Sequence, residues 1–366
     1  MPFPLFDRSA VKMEPLSNRQ NKKQIESDHV SPDSEPRPLP MEAQESIAQL
    51  AERIKQSRNR KRPVMLTFGA HTIKNGLGPV LIQLMRDGWV THLATNGAGI
   101  IHDWEFAYQG ASCEDVQAMV TEGRFGNWHD TGFYINLAIN IGAYRGCGYG
   151  ESVGAMIHAE KIEIPAADQL MTEVQETLRE RPEKAALAAD LLDIVTRFDL
   201  KEPLEIAHPW KRFSAQCAAV EMGIPFTGHP MIGHDIIYTH PMNHGAMLGR
   251  SATRDFLTFA ESVSRLQGGA YVSVGSAVMS PMVFEKSLSM AQNLAIQRGE
   301  HIDDHFIVVN DLAEATWDWS QGEPPEENPA YYLRYNKTFS RMGGSMRYVC
   351  ADNRDFLLTL LHRLRS

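Results

Sequence analysis

Cysteine is scarce and scattered in this chain. The 366 residues include four cysteines, Cys113, Cys147, Cys217 and Cys350, and no two of them form a CxxC pair. A disulfide framework or a cysteine-rich zinc site would need paired cysteines, so we expect neither. The scattered thiols fit a reducing compartment. Because the first residues also lack the charged, then apolar, then small-residue pattern of a secretory signal, we expect the cytoplasm.

Excess positive charge and long apolar runs are also missing. Acidic residues outnumber basic residues by 45 to 36, which gives a formal net charge of -9. A chain with this balance has no overall basic surface for nucleic acid or for an anionic membrane. Its longest apolar runs have the length of a strand rather than that of a membrane-spanning helix. We therefore expect a small-molecule substrate, and neither a nucleic acid nor a membrane as partner.

The first forty residues differ in composition from the rest. Residues 1–40 contain seven of the twenty prolines and show no hydrophobic periodicity. Such a segment predicts a disordered tail or an extended arm, and in an oligomer an arm can lie across a neighbouring subunit. From Met41 the hydrophobic pattern becomes regular, so residues 41–366 are predicted to form a single domain.

Six short apolar runs alternate with helical patterns, including helices predicted at 208–222 and 252–266. The runs are PVMLTF (63–68), VTHLAT (90–95), IPFTG (224–228), AYVSVG (270–275), HFIVVN (305–310) and MRYVCA (346–351). Strands interleaved with helices predict a mostly parallel sheet that is covered on both faces. The fixed handedness of such crossovers makes this an α/β fold with a doubly wound, Rossmann-like sheet. The mostly helical block at about 105–205 is predicted to be an insertion on that sheet.

Glycine-containing turns follow two of these strands. The turn residues are Asn96, Gly97 and Gly99 after the second run, and Gly275 and Ser276 after the fourth. Ligands bind at the carboxyl ends of parallel strands, where glycines let backbone N–H groups approach a phosphate or a ribose. The first turn is not the GxGxxG dinucleotide fingerprint, and a plain strand-to-helix connection is the alternative for both. His102, Asp103 and Glu105 favour a functional site at the first turn, since unpaired buried charges are costly.

A histidine-rich loop follows the third strand. Its candidate ligands, which fall within sixteen residues, are His229, His234, Asp235, His240 and His244. Histidine and aspartate are common metal ligands, so a metal-assisted hydrolase built on the His229–His244 loop is one alternative. The spacing matches no HExxH motif, however, and we assign no metal. A polar substrate-binding loop is the favoured interpretation, with Asp235 as the acceptor for cationic or hydroxyl groups.

Four segments resemble the deoxyhypusine synthase family. They are FGAHTIKNGL (68–77), HLATNGAGIIHD (92–103), GIPFTGHPMIGHD (223–235) and GGAYVSVGSAV (268–278). The resemblance runs from about residue 45 to the C-terminus. NAD-dependent members of this family have a doubly wound fold and usually form homotetramers. The resemblance therefore implies NAD as cofactor, a transferase that acts on a polyamine or another small amine or alcohol, and a homotetramer or homodimer.

The resemblance also implies roles for individual residues. It places Asn75, Thr95, Asn96, Gly97, Gly275 and Ser276 around the cofactor, to which we add the neighbouring Gly76 and Gly99. It places Asp235 on the polyamine side, to which the same loop adds His229 and His234. The sequence departs from the family where paired glutamates become Ile101 and His102, and where paired histidines become Ser280 and Pro281. We take His102 and Asp103 as catalytic candidates.

A reactive lysine is the last implication of the resemblance. In the related synthases a lysine shortly before the last strand takes an aminobutyl group as an imine, and Lys337 lies about ten residues before RYVCA (347–351). Imine formation needs a neutral amine, so such a lysine must be desolvated or lie beside other cations such as Arg334. Lys74 is the competing candidate. The aromatic and acidic segment 317–337 also contains Trp319, whose ring suits an amine or a nicotinamide.

Two interpretations stay open beside an NAD-dependent enzyme. One is the metal-assisted hydrolase described above. The other is a non-catalytic nucleotide-binding protein that has kept the fold and lost the chemistry, because a fold alone does not determine a function.

Overall fold

A six-stranded parallel sheet lies at the centre of the computed structural model, which describes residues 3–201, 203–315 and 317–366. The strands are β1 (Val64–Phe68), β2 (His92–Asn96), β3 (Phe226–His229), β4 (Ala270–Val274), β5 (Phe306–Asp311) and β6 (Ser345–Cys350). Their order across the sheet is β3-β2-β1-β4-β5-β6, and every neighbouring pair is parallel. This order is that of the Rossmann sheet. The predicted doubly wound α/β class is confirmed.

Helices cover both faces of the sheet. They are α1 (Ile25–Asp28), α2 (Met41–Asn59), α3 (Ala70–Lys74), α4 (Gly78–Arg86), α5 (Gly97–Gln109), α6 (Val116–Thr121), α7 (His129–Arg145), α8 (Tyr149–Ala159), α9 (Ala167–Thr177), α10 (Pro182–Arg197), α11 (Ala215–Met222), α12 (Gly245–Ser264), α13 (Met279–Gln297), α14 (Arg334–Ser340) and α15 (Asn353–Arg365). In β1, Val64, Leu66 and Phe68 belong to one apolar cluster and Met65 to another, which contains α12 and α13. A strand with both faces buried has a nearly continuous run of apolar residues, which is why the sequence PVMLTF predicted β1.

Helix boundaries depend on capping side chains more than on apolar spacing. The helix predicted at 208–222 begins at Ala215, because the Ser214 hydroxyl caps it by accepting the Cys217 N–H, while Lys211–Phe213 forms a 3-10 turn. The helix predicted at 252–266 begins earlier, at Gly245, where the His244 ring accepts the Met247 N–H. Side-chain acceptors satisfy N–H groups that have no partner in the first turn, and this fixes where each helix starts.

The direction of strand order reverses between β1 and β4. Phe68, the last residue of β1, lies opposite Thr95 of β2 and Val274 of β4. The loops that follow β1 and β4 touch there, since a Cβ on Gly69 would lie 2.0 Å from the Gly275 carbonyl oxygen. Gly275 has a φ of 57°, a conformation that favours glycine. Open α/β sheets bind ligands outside the strand ends at such a reversal.

The N-terminal arm is extended and packs along the domain. Leu16 and Ile25 are buried in the main apolar cluster, and Lys23–Gln24 pairs antiparallel with Ala111–Ser112. Farther along the arm, Arg37 forms an ion pair with Asp355 of α15. The described part of the arm begins at residue 3. It runs over the same chain, and one of its side chains enters the candidate site.

Helices α6–α10 lie between β2 and β3 and form most of the helical block predicted as an insertion. Within this block α7 and α8 pack on α5 and α12, α8 also packs on α11, and the described residues add no second sheet of comparable size. No helix among the described residues combines the length and the apolar character that crossing a bilayer requires.

Candidate functional site

A cavity of about 220 Å³ lies at the carboxyl end of β2. It is enclosed by the start of α5, the end of α3, the N-terminal arm and the loop after β3. Its lining residues are Arg19, Lys74, Ala98, Ile101, His102, Glu105, Cys113, Glu114, Val116, Phe125, His234, Asp235 and Ile236. Two larger grooves are more open to solvent. One of about 730 Å³ runs along α12 beside Glu183, and one of about 830 Å³ lies beside Arg8 of the arm and shares Phe125 and Asp235 with the cavity. The cavity at β2 therefore is the candidate site.

At the start of α5, the Asn96–Gly99 turn lies against the carboxylate of Asp235. The Asn96 side chain caps the helix by accepting the Gly99 N–H at 2.9 Å. A Cβ on Gly97 would lie 2.2 Å from Asp235 Oδ2, and a Cβ on Gly99 would lie 2.1 Å from Thr95 Oγ1. Glycine is therefore required at both positions by close neighbours of the same chain. The partly positive helix N-terminus already faces a protein carboxylate, which leaves little room there for a phosphate.

Asp235 carries an acceptor without a partner. Its Oδ2 is buried and makes no hydrogen bond to the described residues. Burial raises the pKa of Asp235 to about 6, although the charge of His234 and a hydrogen bond from the Met231 backbone favour the ionised form. A buried carboxylate oxygen without a donor is costly unless a ligand or water supplies one. The position suits the ammonium or hydroxyl group of a bound molecule.

Glu105 and Arg19 form a buried ion pair on the wall of the cavity. Arg19 donates to both Glu105 oxygens, at 2.8 and 2.7 Å, and the two side chains are 2% and 1% exposed. The hydroxyls of Ser112 and Thr131 donate to the same carboxylate, at 2.5 and 3.0 Å. Burial alone would raise the pKa of Glu105, but the Arg19 guanidinium outweighs it and holds the pKa below its usual range. The carboxylate is therefore a fixed negative charge.

This network fixes the orientation of His102. The His102 Nδ1 lies 2.8 Å from Ser112 Oγ. Because the Ser112 hydroxyl proton goes to Glu105, Ser112 Oγ must accept from Nδ1–H, and this assignment leaves the lone pair on Nε2. Burial lowers the pKa of His102 to about 4, against the opposing effect of Glu105. His102 is thus a neutral, oriented imidazole on the cavity wall, an arrangement that general bases commonly have.

Lys74, Cys113 and Glu114 complete the polar wall. Cys113 has a φ of 71°, which is strained for a residue with a side chain, and burial raises the pKa of its thiol. Both oxygens of Glu114 accept the Trp128 indole N–H at 3.0 Å, and burial raises the pKa of this carboxyl group. The cavity therefore combines one lysine with two carboxylates outside the Arg19–Glu105 pair.

Asp103 is not part of this cavity. Its carboxylate accepts the Ser214 hydroxyl at 2.5 Å, the backbone N–H groups of Ala215 and Gln216, and the Gln216 side-chain amide at 2.9 Å. These four donors satisfy the carboxylate and fix the start of α11. Asp103 therefore caps a helix and is corrected from a catalytic candidate to a structural one, whereas Glu105, two residues later, faces the cavity.

His229 and Trp319 also lie elsewhere. The His229 Nε2 lies 3.0 Å from Thr227 Oγ1, which is 3.0 Å from Nε2 of the buried His92. Burial lowers the pKa of His229 to about 3, so it is a neutral core residue. Trp319 is buried in the apolar cluster on the α13 side of the sheet. Neither residue lines the cavity, whereas His234 and Asp235 do.

The surroundings of Lys337 favour its charged form, whereas imine formation needs a neutral amine. Its Nζ lies 2.9 Å from Glu323 Oε1 and 3.2 Å from the centre of the Tyr331 ring. Partial burial would lower the pKa of Lys337, but its hydrogen bonds to Glu323 and Tyr331 prevail and the pKa is raised. The ammonium form is therefore favoured. Lys74, the competing candidate, is the lysine that lines the cavity.

The residues proposed to line the cofactor lie at several separate places. Gly275 and Ser276 are at the strand-order reversal, where Ser276 Oγ accepts the Ser280 N–H at 3.2 Å. Thr95 is buried and donates to the Phe68 carbonyl, so its hydroxyl serves the sheet. Asn75 is exposed at the end of α3. Gly76 contacts the arm, since a Cβ there would lie 2.2 Å from the Asp28 carbonyl oxygen.

Three cavity residues escaped the sequence interpretation. Arg19 lies in a segment without periodicity, and its partner Glu105 is 86 positions away. Cys113 and Glu114 follow a strand of two residues, Ala111–Ser112, that pairs with the arm. Glu105 carried a signal, because it follows the glycine turn on the same helix as His102. For Arg19, Cys113 and Glu114 we find none in the sequence.

The histidines of the 229–244 loop do not converge on a metal site. His229 is in the core, His240 Nδ1 accepts the Met242 N–H, and His244 caps α12. Within the described ranges, the one group of three potential ligands that lie close enough for a metal is outside this loop. The loop therefore does not support the metal-assisted hydrolase.

Comparisons with known proteins give distant structural similarities. No protein-family model matches the chain, and no curated protein matches it. The ternary complex of AgrE with ornithine and NAD+ superposes with a TM-score of 0.45 and 14% identity over 88% of this chain and 33% of that chain. This chain thus spans about a third of the length of AgrE.

Two further structures are similar to the same degree. One is from Methanococcus maripaludis S2 and is provisionally described as an LOR/SDH protein; its TM-score is 0.44 and its identity 13%, over 92% of this chain and 73% of that chain. The other, from Entamoeba histolytica, is provisionally described as a deoxyhypusine synthase; its TM-score is 0.40 and its identity 9%, over 88% and 87%. Identities this low leave the function to the residues of the site itself.

Proposed function

We propose that this protein is an NAD-dependent enzyme that acts on a small amine or alcohol, with the reacting group held in the cavity at β2. A transfer reaction of the deoxyhypusine synthase type is the finer form of this proposal. The Glu105–Ser112–His102 network carries it, because this network holds a neutral imidazole, His102, on the wall of a cavity that is also lined by Asp235 with its unpartnered oxygen. Oxidation of an amine or alcohol requires a base of this kind to accept the N–H or O–H proton.

The size and charge of the cavity suit a small cation. Its volume of about 220 Å³ is below the roughly 300–1,000 Å³ of pockets for drug-sized ligands. A dinucleotide therefore does not fit inside it, whereas a short amine does. Asp235 and Glu114 would pair with the ammonium group, and His102 Nε2 would accept a proton from the reacting atom. Lys74 would bind an anionic part of the substrate or react with a carbonyl intermediate.

We infer that the dinucleotide binds at the strand-order reversal. Asn310, at the end of β5, has a fully buried side chain whose Oδ1 has no partner among the described residues. The nearby Gly275 and Ser276 precede α13, a helix of 19 residues whose N-terminus favours an anionic group. Ser276, Asn310 and the exposed His71 would hold the cofactor. When bound, NAD would supply the hydride acceptor.

Ligand-dependent unfolding of the whole chain tests both parts of the proposal. NAD+ should raise the unfolding temperature whereas ATP should not, because a ligand stabilises the state that binds it. Putrescine or spermidine, added with NAD+, should raise it further in the wild type. Asp235→Asn should abolish the amine effect and keep the NAD+ effect. Asp168→Asn, which changes an exposed acid of α9, is the matched control and should keep both.

The outcomes of this test separate the alternatives. No shift with any nucleotide would contradict an NAD-dependent enzyme, and it would also leave a nucleotide-binding protein without support. A shift with NAD+ in every variant but none with any amine or alcohol would favour the non-catalytic protein. For the reaction itself, His102→Asn should lower the rate of NAD+ reduction by about 10²–10⁴-fold, which is the usual contribution of a positioned base.

A homo-oligomer formed through α13 is a second part of the proposal. Five apolar side chains at or near this helix are exposed, and they are Val278, Met282, Met290, Leu294 and Ile296. Exposed apolar patches of this kind commonly mark protein interfaces. Light scattering at micromolar concentration should give a dimer or tetramer, and Leu294→Glu should shift it toward the monomer. A monomeric wild type would refute this part.

A further inference from the structure

Three potential metal ligands from two helices lie together on the outer side of the helical layer. Cys217 and Glu221 are on α11, and His158 is near the end of α8. Cys217 Sγ, a Glu221 oxygen and a His158 ring nitrogen all lie within 4.8 Å of one another. Thiolate, imidazole and carboxylate are the three side-chain groups that bind zinc in proteins. The group is separate from the cavity at β2, and no step proposed above uses it.

The distances between the ligand atoms match those around a bound ion. His158 Nδ1 lies 3.5 Å from Glu221 Oε1, and Cys217 Sγ lies 3.6 Å from the same oxygen. Tetrahedral zinc with Zn–S of about 2.3 Å and Zn–N or Zn–O of about 2.0–2.1 Å separates its ligand atoms by roughly 3.3–3.6 Å. Two of the three separations therefore need almost no adjustment.

The three ligand residues differ in how freely their side chains can move. Cys217 and Glu221 are four positions apart on α11 and thus lie on the same side of that helix. Cys217 is buried, which fixes its position, whereas the side chains of His158 and Glu221 are 48% and 50% exposed. The two exposed ligands can rotate toward an ion at the surface, and solvent can provide the fourth ligand.

We propose that His158, Cys217 and Glu221 form a binding site for a divalent cation of the zinc type, with water as the fourth ligand. A cation here joins α11 to α8. The thiol at present donates its S–H to Glu221, so binding forms a metal–sulfur bond and releases the thiol proton to solvent. The neighbouring Lys211 is neutralised by Glu160 at 2.7 Å, which removes most of its repulsion toward an incoming cation.

Metal titration of the full chain tests the site. After equilibration with zinc and desalting, elemental analysis should find one zinc per chain in the wild type. Cobalt(II) is the spectroscopic probe, because a tetrahedral site with a thiolate gives intense visible bands and a sulfur-to-cobalt charge-transfer band. Cys217→Ser should abolish the charge-transfer band. His158→Asn and Glu221→Gln should each weaken zinc binding by about tenfold or more, since even changes outside the direct ligands commonly cost about 10–100-fold.

Matched controls separate this site from adventitious binding. Cys350→Ser removes an exposed thiol elsewhere, and His301→Asn removes an exposed histidine; both should bind zinc as the wild type does. Retention of the cobalt–thiolate band in Cys217→Ser would overturn the proposal. So would unchanged zinc affinity in both His158→Asn and Glu221→Gln, whose exposed positions keep the test valid if the Cys217 variant does not fold.

Discussion

Removing Arg19 should destabilise the whole domain, although the residue lies in the N-terminal arm. Arg19→Met deletes the guanidinium that pairs with Glu105 and leaves a carboxylate that is 1% exposed. Ser112 and Thr131 still donate to it, but both are neutral. Breaking a buried ion pair by removing one partner costs about 3–5 kcal/mol, mostly because the other charge stays buried. We expect a loss of that size in the free energy of unfolding.

Adding Glu105→Gln to Arg19→Met tests whether the unpaired charge of Glu105 causes the loss of stability. Arg19→Met combined with Glu105→Gln removes both charges of this pair. The two hydroxyls donate to different Glu105 oxygens, so the glutamine oxygen can accept from one of them and the amide nitrogen can donate to the other. Glu114, which lies 4.0 Å from Arg19, loses the same cation in the single and the double variant. The double variant should therefore be more stable than Arg19→Met alone, by about 1–3 kcal/mol, which is the cost of an unsatisfied buried group. Lys22→Met is the control, because its ion pair with Asp115 is exposed at both ends and such pairs contribute about 0–1 kcal/mol.

Urea unfolding and limited proteolysis measure these effects. Urea midpoints should rank the chains as wild type, then the double variant, then Arg19→Met, with Lys22→Met close to the wild type. Proteolysis in residues 20–40 should be faster in Arg19→Met, because the arm loses its buried anchor. Equal instability of the single and double variants would refute this explanation. A loss below about 1 kcal/mol in Arg19→Met would refute it as well.

Four further predictions concern individual residues. Gly97→Ala and Gly99→Ala should each destabilise the fold by about 1–3 kcal/mol in urea unfolding, because the new Cβ would meet Asp235 Oδ2 and Thr95 Oγ1, whereas Gly249→Ala, with nothing within 4 Å, should be neutral or stabilising. The value of kcat/KM for an amine substrate should fall as pH drops through about 6, because Asp235, whose pKa is raised to about 6, must be ionised to bind the ammonium group. Asp235→Asn should lose this pH dependence. A fall that persists in this variant would point to another group. Burial raises the pKa of Asp255 to about 7 from an unfolded value near 3.8, so between these pH values the folded state binds a proton that the unfolded state has lost. The free energy of unfolding should therefore decrease as pH rises from about 3.8 to about 7. Chemical unfolding of Asp255→Asn should show a smaller decrease, and an identical pH profile would contradict this. Borohydride trapping with an amine donor and NAD+, followed by peptide mapping, should label Lys74 rather than Lys337, and Lys337→Ala should keep its turnover; label on Lys337 would reverse this assignment.

Local patterns in the sequence determined the sheet and the edge at which the candidate site lies. Buried parallel strands need apolar side chains on both faces, so each of the six appears as a short apolar run between helical patterns. Crossover handedness then restricts how such runs can be connected. The same rules predicted that the residues after the strands would meet at one ligand. His102, His234 and Asp235 do line one cavity, whereas Asn75, Gly275 and Ser276 do not line it. The close approach of Gly97 to Asp235 could be anticipated in kind, since glycine permits such contacts.

The tertiary structure alone decided which neighbours each side chain has. His102 and Asp103 are adjacent in sequence, but successive residues of a helix point about 100° apart, so one faces the cavity and the other caps α11. Arg19 and Glu105 meet across 86 positions, and His158 meets an α11 pair whose i,i+4 spacing gave no hint of its partner. Lys337, the predicted reactive lysine, does not line the cavity, and Glu323 stabilises its charged form. Charge, burial and hydrogen bonding at a site depend on residues distant in the chain, because packing brings them together and local spacing does not record it.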